Sequence, residues 1–244
     1  MIFNTVYGHS GGSVTTAPIL GTDFLWSGGD GTCQVLDDGG GSWRIKFLSS
    51  GTFTPLRNMV IDAFLVGAGG GKGYTHCGAG GSGYTTTVRS IVLAANTAYQ
   101  ITIGAAGTNG PTTATNGTDG GTTSAFAASA PGGKGSNAGK SSSKEVGADG
   151  GSGGGGLNVS GVHANSSTAD GGTDGANGTT ATTAGGTGQG TTTREFGETD
   201  GDLYASGGGD NLTATVPNSG NGGAYNIAPA DGIVVIRQHK EVAV

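Results

Sequence analysis

The chain has 244 residues, 55 of them Gly, with 33% hydrophobic, 6% aromatic and 11% charged residues. Each interior Gly costs a helix about 1 kcal/mol relative to Ala, so this composition excludes a conventional helix-rich globule. The formal charge of -6, from 11 basic and 17 acidic residues without a Lys/Arg cluster to release counterions, excludes nucleic acid as a partner.

Disordered chains are typically rich in Pro, Glu, Lys and Gln, whereas this one has 6 Pro and few charges. An ordered protein with a small or unusual core is the expectation. Cys33 and Cys77 are too few for a disulfide scaffold and sit in no Cys-x-x-Cys or His/Cys grouping, so they read as free thiols. No apolar run approaches the ~20 residues that span a bilayer, and no signal peptide follows Met1-Ile2-Phe3-Asn4-Thr5. A soluble chain without membrane insertion is expected.

In chain order, Asp23-Phe24-Leu25-Trp26 and Cys33-Gln34-Val35-Leu36 read as short strands separated by Ser-Gly-Gly-Asp-Gly. Trp43-Arg44-Ile45-Lys46-Phe47-Leu48 alternates with period 2, followed by Thr52-Phe53-Thr54 and by Val60-Ile61-Asp62-Ala63-Phe64-Leu65-Val66. Thr86 to Leu93 and Tyr99 to Ile103 flank an Ala-Ala-Asn turn, and Gly232 to Arg237 is a last strand that must close back onto the early ones. Residues 104–231 are then a long excursion of Gly, Thr, Ser, Ala, Asn and Asp, too long for a structureless loop in a compact domain.

Spacing supplies an organisation for it. Gly recurs every third residue at 67, 70 and 73, at 104, 107 and 110, at 147, 150, 153 and 156, at 172, 175 and 178, at 185 and 188, and at 220 and 223. Polyproline II has three residues per turn, so these glycines line one face of an extended helix, and a face without side chains lets neighbouring backbones approach and hydrogen-bond. Collagen would need a strict, Pro-rich Gly-X-Y frame, and here the frame breaks every few turns. The expected fold is mainly β plus polyproline/polyglycine II. A small antiparallel sheet carries a large inserted bundle of glycine-rich left-handed extended helices, with essentially no α-helix. Residues 1–58 form a β-rich attachment or oligomerisation region and 59–240 the glycine-rich domain. Whether residues 1–40 stand apart or are an arm of the same sheet stays open.

The words Trp43-Arg44-Ile45-Lys46-Phe47-Leu48-Ser49-Ser50-Gly51-Thr52-Phe53-Thr54, Asp62-Ala63-Phe64-Leu65-Val66-Gly67, Gly188-Gln189-Gly190-Thr191-Thr192-Thr193-Arg194-Glu195-Phe196-Gly197-Glu198 and Gly232-Ile233-Val234-Val235-Ile236-Arg237 occur in this order. Over roughly 43–240 the chain resembles glycine-rich phage and prophage tail proteins of gut Firmicutes. The resemblance implies a virion-surface protein released by host lysis, a homo-oligomer of trimeric kind, with other virion proteins and a bacterial cell-surface glycan or protein as partners. It brings no catalytic residues. The chain departs from the usual look of these proteins in having fewer long poly-Gly runs and more Thr and Asn. The composition alone also resembles snow flea antifreeze proteins.

Motifs of chemistry are met and set aside. Gly78-Ala79-Gly80-Gly81-Ser82-Gly83 matches G-x-G-x-x-G but has no helix after it, and Gly139-Lys140-Ser141 lacks the upstream Gly of a phosphate loop, since Lys134 stands there. Gly150-Gly151-Ser152-Gly153-Gly154 satisfies G-x-S-x-G without the strand, helix, acid and His that a nucleophile elbow requires. The histidines at 9, 76, 163 and 239 are isolated, and Asp200-Gly201-Asp202 starts a calcium loop that Tyr204 interrupts, so neither metal nor cofactor is expected. With no acid/base pair or nucleophile constellation legible, an enzyme ranks last. Binding is expected where the Gly period lapses, at 75–77, 134–146, 157–169 and 211–219, because loops on a rigid scaffold carry recognition. The candidate binding residues are Tyr74, His76, Lys140, Lys144, His163, Asn165 and Asn211. The leading expectation is a host-surface adhesin of a phage tail, tail fibre or tail tip. A purely structural virion subunit comes second. An ice-binding protein presenting faces such as Thr179-Thr180-Ala181-Thr182-Thr183 comes third.

Overall fold

The computed structural model of the chain describes residues 17–74, 77–112, 115–138, 147–155, 158–159, 162–163, 193–209 and 214–239. Twelve strands are found among them: β1 (Phe24–Trp26), β2 (Cys33–Gly39), β3 (Ser42–Phe47), β4 (Gly51–Pro55), β5 (Met59–Val66), β6 (Thr85–Leu93), β7 (Tyr99–Thr102), β8 (Thr123–Ala125), β9 (Ala128–Ala130), β10 (Asn158–Val159), β11 (Val162–His163) and β12 (Ile233–Gln238). The helical content of the described residues is a single 3-10 turn, η1 (Glu195–Gly197). The protein is mainly β with antiparallel sheets and essentially no α-helix, as its composition requires.

Ten of the strands make two five-stranded sheets, β1-β4-β7-β8-β9 and β2-β3-β12-β5-β6, and β10 and β11 pair with each other. β12 closes back between β3 and β5, pairing Val234 with Phe47 on one side and with Leu65 on the other. Strands on both sides of residue 58 share each sheet, and β1 and β2, which precede residue 40, are outer strands of these sheets. The alternation along β3 points Trp43, Ile45 and Phe47 into the core and Arg44 and Lys46 to the opposite face. Phe24 and Phe53 from one sheet meet Phe47, Ile61, Leu65, Val234 and Ile236 from the other. Phe47 and Phe53 pack edge to face at 5.5 Å and Trp26 tilts against Phe47 at 4.8 Å, within the range where aromatic pairs add to area burial.

Between the strands run segments that are neither helix nor strand yet are hydrogen-bonded throughout. From 67 to 74, successive N–H groups turn to different neighbours. Gly67 and Gly70 donate to Tyr84 and Gly81; Ala68, Gly71 and Tyr74 donate to Gly121, Thr118 and Thr115; Gly69 donates to Ala230, all at 2.9–3.1 Å. The carbonyls of Ala68 and Gly71 accept from Gly133 and Ser136, those of Gly69 and Lys72 from Gly107 and Gly110. A repeat of three, with partners on several sides, is the pattern of a threefold extended element; a strand, with period 2, bonds along only two edges.

The bundle differs in extent from the expected excursion over 104–231. Residues 67–74 lie at its centre and 77–84 belong to it, while 123–130 leave it as the β8–β9 hairpin that extends a sheet. Lys134 and Ser136, assigned from sequence to an aperiodic loop, are bonded inside the bundle. A Cβ added at Gly70 would fall within 3.0 Å of the Lys134 carbonyl and one at Gly80 within 3.0 Å of the Gly70 carbonyl, and both obstacles are backbone. Such backbone cannot swing aside as a side chain would. Gly70→Ala therefore lowers stability by about 3 kcal/mol, read in thermal unfolding as a Tm fall of roughly 6–12 °C. An unchanged Tm would show that the backbone around Gly70 yields freely.

Candidate functional site

Two places on the molecule bring functional groups together. The first is the end of the bundle remote from the sheets. Gly67, Tyr84, Gly104, Gly121, Pro131 and Gly232 are the points where segments join strands or approach them, so the opposite ends of the same segments meet at Tyr74, Gly110, Thr115 and Ala138. Tyr74 is exposed there, with its N–H held by the Thr115 carbonyl. Asn116 Oδ1 accepts from the Ala138 N–H at 2.9 Å, tying two adjacent segments together.

A further tyrosine, unmarked in the sequence, stands at this end. Ala224 and Ile227 exchange backbone hydrogen bonds around Tyr225 and Asn226, and Asn109 Nδ2 donates to the Ile227 carbonyl at 3.0 Å. Tyr225 is left 74% exposed on a turn clamped from the neighbouring segment. The signal available was an aromatic between the Gly223 period and Pro229. Of the other expected binding residues, His163 is in β11, antiparallel to β10, with Asn158 opposite it. His76, Lys140, Lys144, Asn165 and Asn211 lie outside the described residues.

The second place is a cleft on the outer face of the β2-β3-β12-β5-β6 sheet, where a strap of residues 193–204 crosses it. Phe196 and Tyr204 from the strap pack on Phe64, Val66 and Val235, which is why β5 is buried on both faces from Ile61 to Val66. Polar groups surround this small cluster. Glu195, 2% exposed, accepts from Arg44 Nη1 at 2.6 Å and from the Tyr204 hydroxyl at 3.1 Å, with Lys46 Nζ at 3.3 Å. Arg237 donates from Nε to Asp62 at 3.2 Å and from Nη1 to Glu198 at 2.6 Å, its guanidinium 4.2 Å above the Phe196 ring. Asp62, fully buried, also receives Arg89, His239 and the Ser90 N–H.

These partners set the ionisation states. Burial alone would lower the Lys46 ammonium, but the Tyr204 hydroxyl, Glu195 and Asp202 outweigh it and hold the group above its ordinary value. Burial, then the Glu195 charge, push the Tyr204 phenol up to about 12. Burial raises the Asp62 carboxyl, yet hydrogen bonds from His239, the Ser90 N–H and Arg237 overcome it and leave it below its ordinary value. The paired cations and carboxylates of this strap are mutually satisfied, which makes most of the cleft a clasp. His239, isolated in the sequence, is here brought against a buried carboxylate from a strand 177 positions away. Among the described residues no group of three His, Cys, Asp or Glu side chains could hold a metal ion, and Cys33 and Cys77 are free thiols. Burial pushes the Cys33 thiol up to about 11, away from reactivity.

A carboxyl depressed in the folded state contributes stability that is present above its ordinary value of 3.8 and lost as pH falls through the folded value. Acid unfolding below about pH 4 that is flattened in Asp62→Asn, with a loss of about 3–5 kcal/mol at neutral pH, is the expected outcome in denaturant titrations. A raised phenol acts at the other extreme: stability is full below pH 10 and falls as pH rises from there towards 12. Tyr204→Phe removes that alkaline limb, and ultraviolet phenolate titration of the wild type shows a late-titrating component that the variant lacks.

No curated protein matches the chain. A family model described as a glycine-rich domain matches residues 48–237, from just after β3 into β12, and so takes in the whole described bundle. The chain belongs to this glycine-rich domain family.

Proposed function

We propose that the chain is a virion component of a phage tail, tail fibre or tail tip whose glycine bundle presents a recognition surface to a bacterial cell-surface glycan or protein. The observation that carries this reading is the gathering of segment ends on the side of the bundle remote from the sheets, with Tyr74 and Tyr225 exposed among them. A scaffold bonded in three directions holds these segment ends in place, so little ordering entropy is lost on binding. Tyrosine presents a large, rigid amphipathic face suited to stacking on a sugar ring and to hydrogen bonding from its hydroxyl. The two sheets at the opposite end leave β2 and β6 as edge strands of one sheet, available for contacts with other virion proteins or further copies of the chain.

The word-level resemblance to tail proteins of gut Firmicutes phages names the cells to use. Labelled protein added to a panel of such cells, with surface glycans intact or chemically stripped, is expected to bind selectively and to lose binding on stripping. Tyr225→Ala weakens that binding by about tenfold or more, the equivalent of about 1.4 kcal/mol, with unchanged thermal unfolding. Absence of binding to every strain would sink the adhesin reading in favour of a structural virion subunit.

A further inference from the structure

Beside the clasp, three side chains from distant parts of the chain stand in line. Ser90 Oγ is 3.0 Å from His239 Nε2, and His239 Nδ1 is 2.6 Å from Asp62 Oδ1. Asp62 is an ionised acceptor, so the imidazole carries its proton on Nδ1 and turns the Nε2 lone pair to the Ser90 hydroxyl. The Ser90 main-chain N–H donates to the same Asp62 oxygen at 3.1 Å, so one buried carboxylate positions both the imidazole and the serine backbone. The His239 N–H is fixed in turn by the Val60 carbonyl at 3.0 Å.

Two features go beyond what packing asks for. Ser90 holds φ 58°, a left-handed conformation, where the β5–β6 register shifts between Ile61 and Ala63. Such strain in a non-Gly residue is held only where the surroundings enforce it, and it concentrates at functional sites. Asp62 already has Arg89 and Arg237 as counterions, so its charge does not need an imidazole. Ser90 is exposed and His239 is 21% exposed, while Asp62 is buried, which is the order of access that a nucleophile, its base and an orienting acid require.

We infer that Ser90, His239 and Asp62 form a nucleophile, base and positioning group that hydrolyse esters of short apolar acyl groups. In the first step Ser90 Oγ attacks the ester carbonyl carbon as its proton passes to His239 Nε2. The carbon–oxygen bond to the alcohol then breaks, and His239 returns the proton to the departing alkoxide, leaving an acyl ester on Ser90. Water then gives a proton to the same imidazole as its oxygen attacks that ester; the bond from the acyl carbon to Ser90 Oγ breaks, His239 Nε2 returns the proton to Oγ, and the carboxylic acid leaves. The half-exposed Arg89, next in the chain to Ser90, lies 3.3 Å from Asp62 and donates to the Phe196 carbonyl, and so helps to hold the carboxylate that positions His239. Val60 and Val92 pair across β5 and β6 on the face that carries Asp62, 45% and 74% exposed, and give an acyl chain an apolar floor. This activity is independent of any host-surface binding.

The test uses the full chain with a fluorophosphonate probe and with p-nitrophenyl acetate and butyrate. The expected result is a phosphonyl adduct located on Ser90 by peptide mass spectrometry. Ester hydrolysis falls by about 10²- to 10⁴-fold in Ser90→Ala and in His239→Gln, and the double variant loses little more than either. Ser90→Gly, which suits the positive φ, serves as a second nucleophile-free variant whose fold is verified by thermal unfolding. A folded wild-type protein that takes no adduct at Ser90, or a folded Ser90→Gly protein that hydrolyses the esters as fast as wild type, overturns the assignment.

Discussion

Backbone carbonyls approaching positions that carry no Cβ are the contact on which this molecule depends. Ordinary cores exclude water with side chains; at Gly67, Gly69, Gly70, Gly71, Gly80, Gly81 and Gly83 the same exclusion is made by peptide groups packed against Cα hydrogens, each approach too close for a methyl group. Hydrogen bonds then do what apolar area does elsewhere. Each is worth only about 1 kcal/mol net, but leaving one unmade in this dry interior would cost the full desolvation of its group. The glycine content is therefore a packing requirement, and the entropy lost in ordering so many glycines sets the demand for many simultaneous bonds.

The two sheets supply what the bundle cannot. Their shared core of Phe24, Phe47, Phe53, Ile61, Leu65 and Val234 fixes where the bundle segments start and end, because the first and last residues of several segments continue directly into strands. β12 completes the arrangement by running between β3 and β5, so the end of the matched region is stitched to its beginning. The clasp on the outer face has a different character. Glu195 and Asp62 are buried carboxylates with several donors each, a geometry that specifies where the strap lies more than it adds stability.

Much of this was legible in the residues. Strands from β1 to β7 and β12 announce themselves by alternating or β-branched apolar runs, and the need for β12 to rejoin the early strands followed from its having no apolar neighbour nearby. The Gly period located segments such as 104–110 and 147–155. The β8–β9 hairpin was hidden because its turn is made by Phe126 and Ala127 at φ 51° and 60°, a left-handed pair built without the Asn or Gly that normally signals it. The cleft was hidden for another reason: Arg44, Asp62, Glu195 and His239 are separated by up to 195 positions, and each alone resembles a solvated charge. Five of the seven candidate binding residues fall outside the described residues, and Tyr225 is a lone aromatic in the sequence whose turn is fixed by Asn109 across 118 positions.

Bonding in threes also restricts how such a chain can change length. Removing or adding one residue within 67–74 would rotate everything beyond it by a third of a turn, so that each N–H faced the neighbour meant for the next and bulky positions swung into the glycine contacts. Three residues restore the facing, and only if adjoining segments lengthen together does the new layer find partners. The segment ends remote from the sheets obey no such arithmetic. Descendants of this chain can thus grow in steps of a whole layer along the bundle while their tips drift freely, a division between a quantised shaft and an unconstrained cap.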